Sequence, residues 1–164
     1  MLNSLDKWIK EWLFKKDWSI TIEKINGVFY PTEESVIKLH DYVINEFKLS
    51  EDPISRGIIS KGVLSFPGVK YYFEGDKNNK RKDILFRGAH IFNKFLQAGH
   101  PFADGNKRTG LIILWIFLFL NGYFLRLSDY NYESHAKLII KWADIGEDNI
   151  SEIYEWLDKY VTFI

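Results

Sequence analysis

After Thr109 and Gly110 the chain runs Leu111-Ile112-Ile113-Leu114-Trp115-Ile116-Phe117-Leu118-Phe119-Leu120 without a charged or amide side chain. A helix with no water-facing stripe has to be enclosed by other elements on all sides. Asn121 and Gly122 interrupt the stretch well before the ~20 residues that a bilayer crossing needs. It therefore reads as a central core helix over 107–121, not as a membrane span. That segment sets the class: mainly α, a helical bundle around a buried central helix, with small β-hairpin or flap elements.

The rest of the chain must supply one-sided helices to wrap it, and it does. Leu5, Trp8, Ile9, Trp12 and Leu13 keep helical spacing, with charged residues between them. Trp18, Ile20 and Ile22 alternate with polar residues, and Asn26-Gly27 separates Ile25 from Val28-Phe29-Tyr30, which predicts a hairpin with strands near 19–25 and 28–30. Thr32 caps a helix that carries Glu33 and Glu34 in its first turn and Val36, Leu39, Val43, Ile44 and Phe47 on its apolar face. Asp52-Pro53 starts a short helix to about Lys61. Residues 83–98 give a helix with Ile84, Gly88, Ile91, Phe95, Leu85, Ala89, Phe92 and Leu96 inward, and Asp83, Arg87, His90, Lys94 and Gln97 facing solvent. Gly99 stops it, and the charged run 76–82 before it reads as a solvated loop. Tyr132, Ala136, Ile139, Ile140 and Ala143 mark a further helix. Asn149 and Glu152 resemble a capping box for a last one with Ile150, Ile153, Leu157, Tyr160 and Val161. His40 reads as a packed or surface histidine and His135 as incidental.

Length and composition agree with a single domain, 1–164: an N-terminal extension 1–31, a core 32–123 and C-terminal helices 124–164. Hydrophobic residues make up 46% of the chain, and 22 Lys plus Arg balance 22 Asp plus Glu. No overall charge draws the protein to nucleic acid or to a membrane surface, so neither is expected as a partner. With no cysteine, disulfides, thiolate nucleophiles and zinc–cysteine sites are excluded. The first residues lack signal-peptide architecture, and a cytoplasmic protein is expected.

The chemistry concentrates just before the apolar run, in His100-Pro101-Phe102-Ala103-Asp104-Gly105-Asn106-Lys107-Arg108-Thr109. A loop that ends at a helix N-terminus presents free N–H groups and the positive end of the dipole to a phosphate. Gly105 permits the sharp turn and close backbone approach of a phosphate nest. Lys107 and Arg108 add positive charge, Asp104 is a hard oxygen ligand of the Mg²⁺-holding kind, and His100 can take a proton from an attacking hydroxyl. Phe102 is expected to anchor the loop in the core.

This segment resembles the signature of the Fic/Doc superfamily, His-x-Phe-x-(Asp/Glu)-Gly-Asn-(Gly/Lys)-Arg, at every defined position from His100 to Arg108. The resemblance extends over about Thr32 to Tyr123. It implies an ATP-dependent enzyme that uses Mg²⁺ to modify a hydroxyl of a target protein. In that reading His100 is the base, Asp104 the metal ligand, and the Gly105–Lys107 backbone with the Asn106 side chain the phosphate nest. Lys107 and Arg108 neutralise developing charge. It also makes Val69, Lys70, Tyr71 and Tyr72 the candidate target-binding flap, with a plain core strand as the alternative.

Two chemistries stay open within the resemblance. In the commoner Fic form the position of Lys107 is glycine and AMP is transferred. In the Doc branch it is lysine and the γ-phosphoryl group is transferred, the known target being a translation factor. Pro101 and Gly105 are Fic-like, and Lys107 is Doc-like. The second arginine of AMP-transferring members is replaced by Leu111. These differences favour phosphorylation of a Ser or Thr, with AMP transfer as the alternative and a nucleotide-binding module without turnover as the reading from another class. The family's inhibitory motif, (Ser/Thr)-x-x-x-Glu-(Gly/Asn), is absent: the Glu74-Gly75 pair has Lys70 four residues before Glu74. A separate antitoxin is therefore expected.

Overall fold

The computed structural model describes Glu11 and residues 20–47, 78–97, 100–127 and 131–164. The N-terminal amphipathic helix, the helix after Pro53 and the flap Val69–Tyr72 lie outside the described residues. The elements in order are β1 (Ile22–Ile25), β2 (Val28–Pro31), α1 (Glu33–Phe47), α2 (Lys80–Leu96), α3 (Asn106–Leu120), β3 (Tyr123–Leu125), α4 (Tyr132–Ile145), α5 (Ile150–Tyr160) and β4 (Val161–Phe163). The architecture is mainly helical with two small antiparallel hairpins, as the sequence implied. No described helix is long and apolar enough to cross a membrane.

The centre is α3. Every residue from Thr109 to Leu118 is buried, so the all-round apolar run is enclosed as expected. Helix α2 packs along α3, α5 packs on the outer side of α2, and α1 covers another flank of α3. Helices α2 and α3 approach closely at Gly110, where a Cβ would lie only 2.6 Å from that of Phe95. In β1–β2, Ile25 pairs with Val28 across Asn26 (φ 50°) and Gly27 (φ 82°). Two successive positive φ values are the turn that Asn-Gly favours, because its twist matches that of the strands. Strand β1 starts at Ile22, later than the expected 19. Thr32 caps α1 by accepting from Ser35 N–H at 3.3 Å.

Four features depart from the sequence reading. Helix α2 begins at Lys80, capped by the Asn79 side chain, so the end of the charged run is a first helical turn. There Arg81 pairs with the Asp158 carboxylate and donates to the Val161 carbonyl at 3.1 Å. An exposed first turn and a solvated loop share the same charged composition, which is why sequence did not separate them. The expected solvent stripe of α2 is half covered: the segment before α5 lies over it, with Asn149 N–H donating to the Asn93 side chain at 3.2 Å. Burial accordingly pushes the His90 and Lys94 pKa values below their ordinary ranges. The last helix stops at Tyr160, and Val161–Phe163 pairs with Tyr123–Leu125 instead. The β-branched pair Val161-Thr162 suits that strand better than a helix end. Finally, Glu152 closes no capping box: its carboxylate accepts from the Trp142 indole at 2.8 Å, and Asp148 accepts from Ile150 N–H.

Two polar residues tie the pieces together. The Asn121 amide exchanges hydrogen bonds with both backbone groups of Phe29 (3.0 and 2.9 Å), fastening β2 to the end of α3. His135 is structural, not incidental: it is 3% exposed and its Nδ1 accepts from Trp156 Nε1 at 3.1 Å. Burial lowers its pKa, and the Lys159 charge adds to the effect.

Candidate active site

The loop between α2 and α3 is built from the core outward. Phe102 is fully buried and anchors it, as its place in the sequence suggested. Asn106, at the start of α3, then shapes it. Its Oδ1 accepts from Phe102 N–H at 3.0 Å, and its Nδ2 donates to the Phe102 carbonyl at 2.7 Å. Because the Phe102 N–H must meet an acceptor, the amide's orientation is fixed. Its remaining N–H points at His100 Nδ1, 3.1 Å away. Nδ1 is thus an acceptor, and a neutral His100 carries its proton on Nε2. Both N–H groups of the Asn106 side chain serve the loop, so what it can offer a phosphate is its backbone N–H.

Gly105 is the N-cap of α3 with φ 73°, a left-handed conformation that a side chain would strain. No side chain caps this end. The first backbone bond of the helix runs from Thr109 N–H to the Gly105 carbonyl, so the N–H groups of Asn106, Lys107 and Arg108 precede the helical ladder. Gly105 N–H is held by the Asp104 Oδ1 at 2.6 Å. Lys107 is exposed and Arg108 half-buried, its pKa pushed below the arginine range by burial, with the Asp104 charge opposing. Arginine's pKa is high enough that it stays charged.

These groups face one cavity of about 360 Å³. His100, Asp104, Gly105, Asn106, Lys107 and Arg108 form its polar wall. Phe95, Leu96 and Leu111 form the floor, and Ala136, Ile139, Ile140, Ala143 and Asp144 of α4 the far wall. The structure therefore brings together His100, Asp104, Gly105, Asn106, Lys107 and Arg108 in a cavity that a shelf of α4, apolar except for Asp144, also lines. The α4 shelf was not anticipated as part of the site. Its i, i+3, i+4, i+7 stripe looks the same whether it faces core or ligand.

His40 of α1 is the other residue that sequence reasoning left out of the site. It is 1% exposed, its Nε2 donates to the Asp104 carbonyl at 2.8 Å, and its ring stacks on Phe102 at 3.7 Å with planes 4° apart. They stand 64 positions apart in the chain, and no local pattern links the two.

Among the described residues no cluster of three His, Asp or Glu side chains could hold a metal alone. Asp104 fits Mg²⁺ in its usual nucleotide-borne mode, one protein carboxylate with phosphate oxygens and water completing the shell.

Neither a search of curated proteins nor one of solved structures found a match. A scan of protein families matches residues 30–118, from β2 to near the end of α3 and more than half of the chain, to the Fic/DOC family. That family implies nucleotide-dependent modification of proteins, generally with Mg²⁺. The match covers the end of β2, α1, α2, the signature loop and nearly all of the central helix, and the chain belongs to the Fic/DOC family.

Proposed function

We propose that the protein is a phosphotransferase that moves the γ-phosphoryl group of ATP to a Ser or Thr hydroxyl of another protein. The observation that supports this reading best is Lys107 at the cavity rim beside the open first turn of α3. Lys107 is exposed, so it acts by charge and reach. Together with Arg108 and the first-turn N–H groups it draws the most highly charged end of the nucleotide into the loop. Leu111 leaves the cavity floor apolar where AMP-transferring relatives of the resemblance carry an arginine.

The target oxygen bonds to the γ-phosphorus as the bond to the β–γ bridging oxygen breaks, and ADP leaves. His100 accepts the hydroxyl proton. An imidazolium donates from both nitrogens, so Nδ1–H and the Asn106 N–H can no longer face each other. Proton uptake therefore goes with a shift of that contact. Lys107, Arg108 and the backbone N–H groups stabilise charge on the transferring oxygens. Asp104 would hold Mg²⁺, which would supply neutralisation of phosphate charge there. The nucleobase rests on Ile139, Ile140 and Ala143. Val69–Tyr72 holds the target, a translation factor being the class the resemblance suggests, and a separate antitoxin restrains the enzyme.

Incubation with lysate and either α- or γ-labelled ATP tests this. Transfer of γ label alone is expected, with His100→Ala lowering the rate by about 10²–10⁴. Adenylylated product from the wild type would replace phosphoryl by AMP transfer. ATP binding without either product would leave a regulatory module.

A further inference from the structure

His40 lies on a helix far from the signature in sequence, yet it hydrogen-bonds one signature residue, Asp104, and stacks on another, Phe102. The Asp104 carbonyl points inward and accepts from His40 Nε2 at 2.8 Å. A trans peptide sends its C=O and N–H in opposite directions. The Gly105 N–H must then point away from the core toward the cavity, where it meets Asp104 Oδ1 at 2.6 Å. The imidazole lies flat on Phe102, 3.7 Å between centroids, so the ring that grips the carbonyl is itself held by the loop's anchor. Left-handed Gly105 (φ 73°) has little steric resistance to a peptide flip, and α3 supplies no capping side chain. The outward setting of this N–H is therefore held from the core side by His40 and from the cavity side by Asp104 Oδ1.

We propose that His40 is a positioning residue for phosphate and metal binding. Its Nε2–H fixes the Asp104–Gly105 peptide so that the Gly105 N–H stays aimed at the cavity when Asp104 Oδ1 leaves it for a cation. This rests on the nucleotide-binding reading above, but it has a readout that does not.

His40→Phe keeps the ring on Phe102 and deletes the donor. His40→Gln keeps an N–H at similar reach. ATP binding in the presence of Mg²⁺ is expected to weaken about tenfold in His40→Phe and by no more than about threefold in His40→Gln, the scale of one well-placed hydrogen bond. Adenosine, which has no phosphate, should bind all three proteins alike. In ¹⁵N-labelled wild-type protein without nucleotide, the His40 Nε2–H should appear as a slowly exchanging proton. The Gly105 amide signal should shift in His40→Phe and stay in place in His40→Gln. Equal ATP affinity and an unmoved Gly105 signal in His40→Phe would overturn the proposal, as would a glutamine variant as weak as the phenylalanine one. If His40→Phe does not fold, a rapidly exchanging Nε2–H in the wild type overturns it alone. Failure of the wild type to bind ATP would instead count against the functional reading, with the Gly105 signal still deciding the role of His40.

Discussion

Gly110 and Gly88 are both buried positions inside helices, and alanine at either gains the same helix propensity, about 1 kcal/mol. What differs is what the new methyl meets. At Gly110 it would sit 2.6 Å from Phe95 Cβ and 2.9 Å from its Cγ. Carbon atoms rest near 3.5–4.0 Å apart, and a Cβ is fixed to its own backbone. One helix must then slide by about 1 Å, and overpacking of this kind costs about 1–3 kcal/mol. At Gly88 the methyl would meet Leu114 Cδ1 at 3.1 Å, Leu157 Cδ1 at 3.5 Å and Leu118 Cδ2 at 3.7 Å, all ends of side chains that can turn. Because the propensity gain cancels between the two, Gly110→Ala should be about 1–3 kcal/mol less stable than Gly88→Ala. For a chain of this size that separates the melting temperatures by about 2–12 °C. Circular dichroism melts of the two variants measure the gap directly. Gly110 also lies one turn after Asn106, so the slide displaces the loop, and Gly110→Ala should bind ATP more weakly than Gly88→Ala. A Gly110→Ala protein that melts at or above Gly88→Ala would refute the close helix approach on which this reasoning rests.

Asn106→Ala should destabilise by about 2–5 kcal/mol in urea unfolding, because it leaves both buried backbone groups of Phe102 without the amide that now meets them. An effect under about 1 kcal/mol would mean the loop does not depend on it. For pH, His135 is held neutral: its folded pKa lies below the unfolded value of about 6.5, chiefly through burial. The unfolded chain then takes up a proton first, so stability holds above pH 6.5 and falls as the pH drops through the window below it. His135→Gln, which keeps an acceptor for Trp156, should flatten the decline of melting temperature between pH 7 and 5. His90 leaves a residual slope of the same sign, and an unchanged slope in the variant would remove His135 from the account.

What could be read from the sequence follows how local its cause is. The turn at Asn26-Gly27, the cap at Thr32 and the enclosure of 109–118 each rest on neighbouring residues alone, and each stands in the structure. The signature loop belongs with them, because its chemistry is contiguous from His100 to Arg108. The β3–β4 pairing was missed because Val161 meets Leu125 across a gap that no local pattern spans. Glu152 was misread for the opposite reason: the spacing Asn149-x-x-Glu152 is local, but the Trp142 indole competes for the carboxylate and wins. His40 combines both difficulties, since an apolar helix face explains its burial without pointing to the loop it holds.

The division of labour within the signature follows from helical geometry. From Asn106 onward, residues three and four apart share a face. Asn106, Thr109 and Gly110 are all buried, and Gly110 lies against Phe95 and Phe92 of α2. Lys107, Arg108 and Leu111 share another face, and all three line the cavity. Position 111 is therefore the next step on the cavity-facing row, one turn beyond Lys107. A cation there would extend the positive field along that row, toward phosphates lying deeper over the floor. Leucine ends the field at Arg108. In a chain whose charges balance overall, the site's attraction for anions is confined to the first turn of α3 and its two cations. That confinement favours a nucleotide presenting its triphosphate end to the loop, with the base on the apolar α4 wall, over one laid along α3.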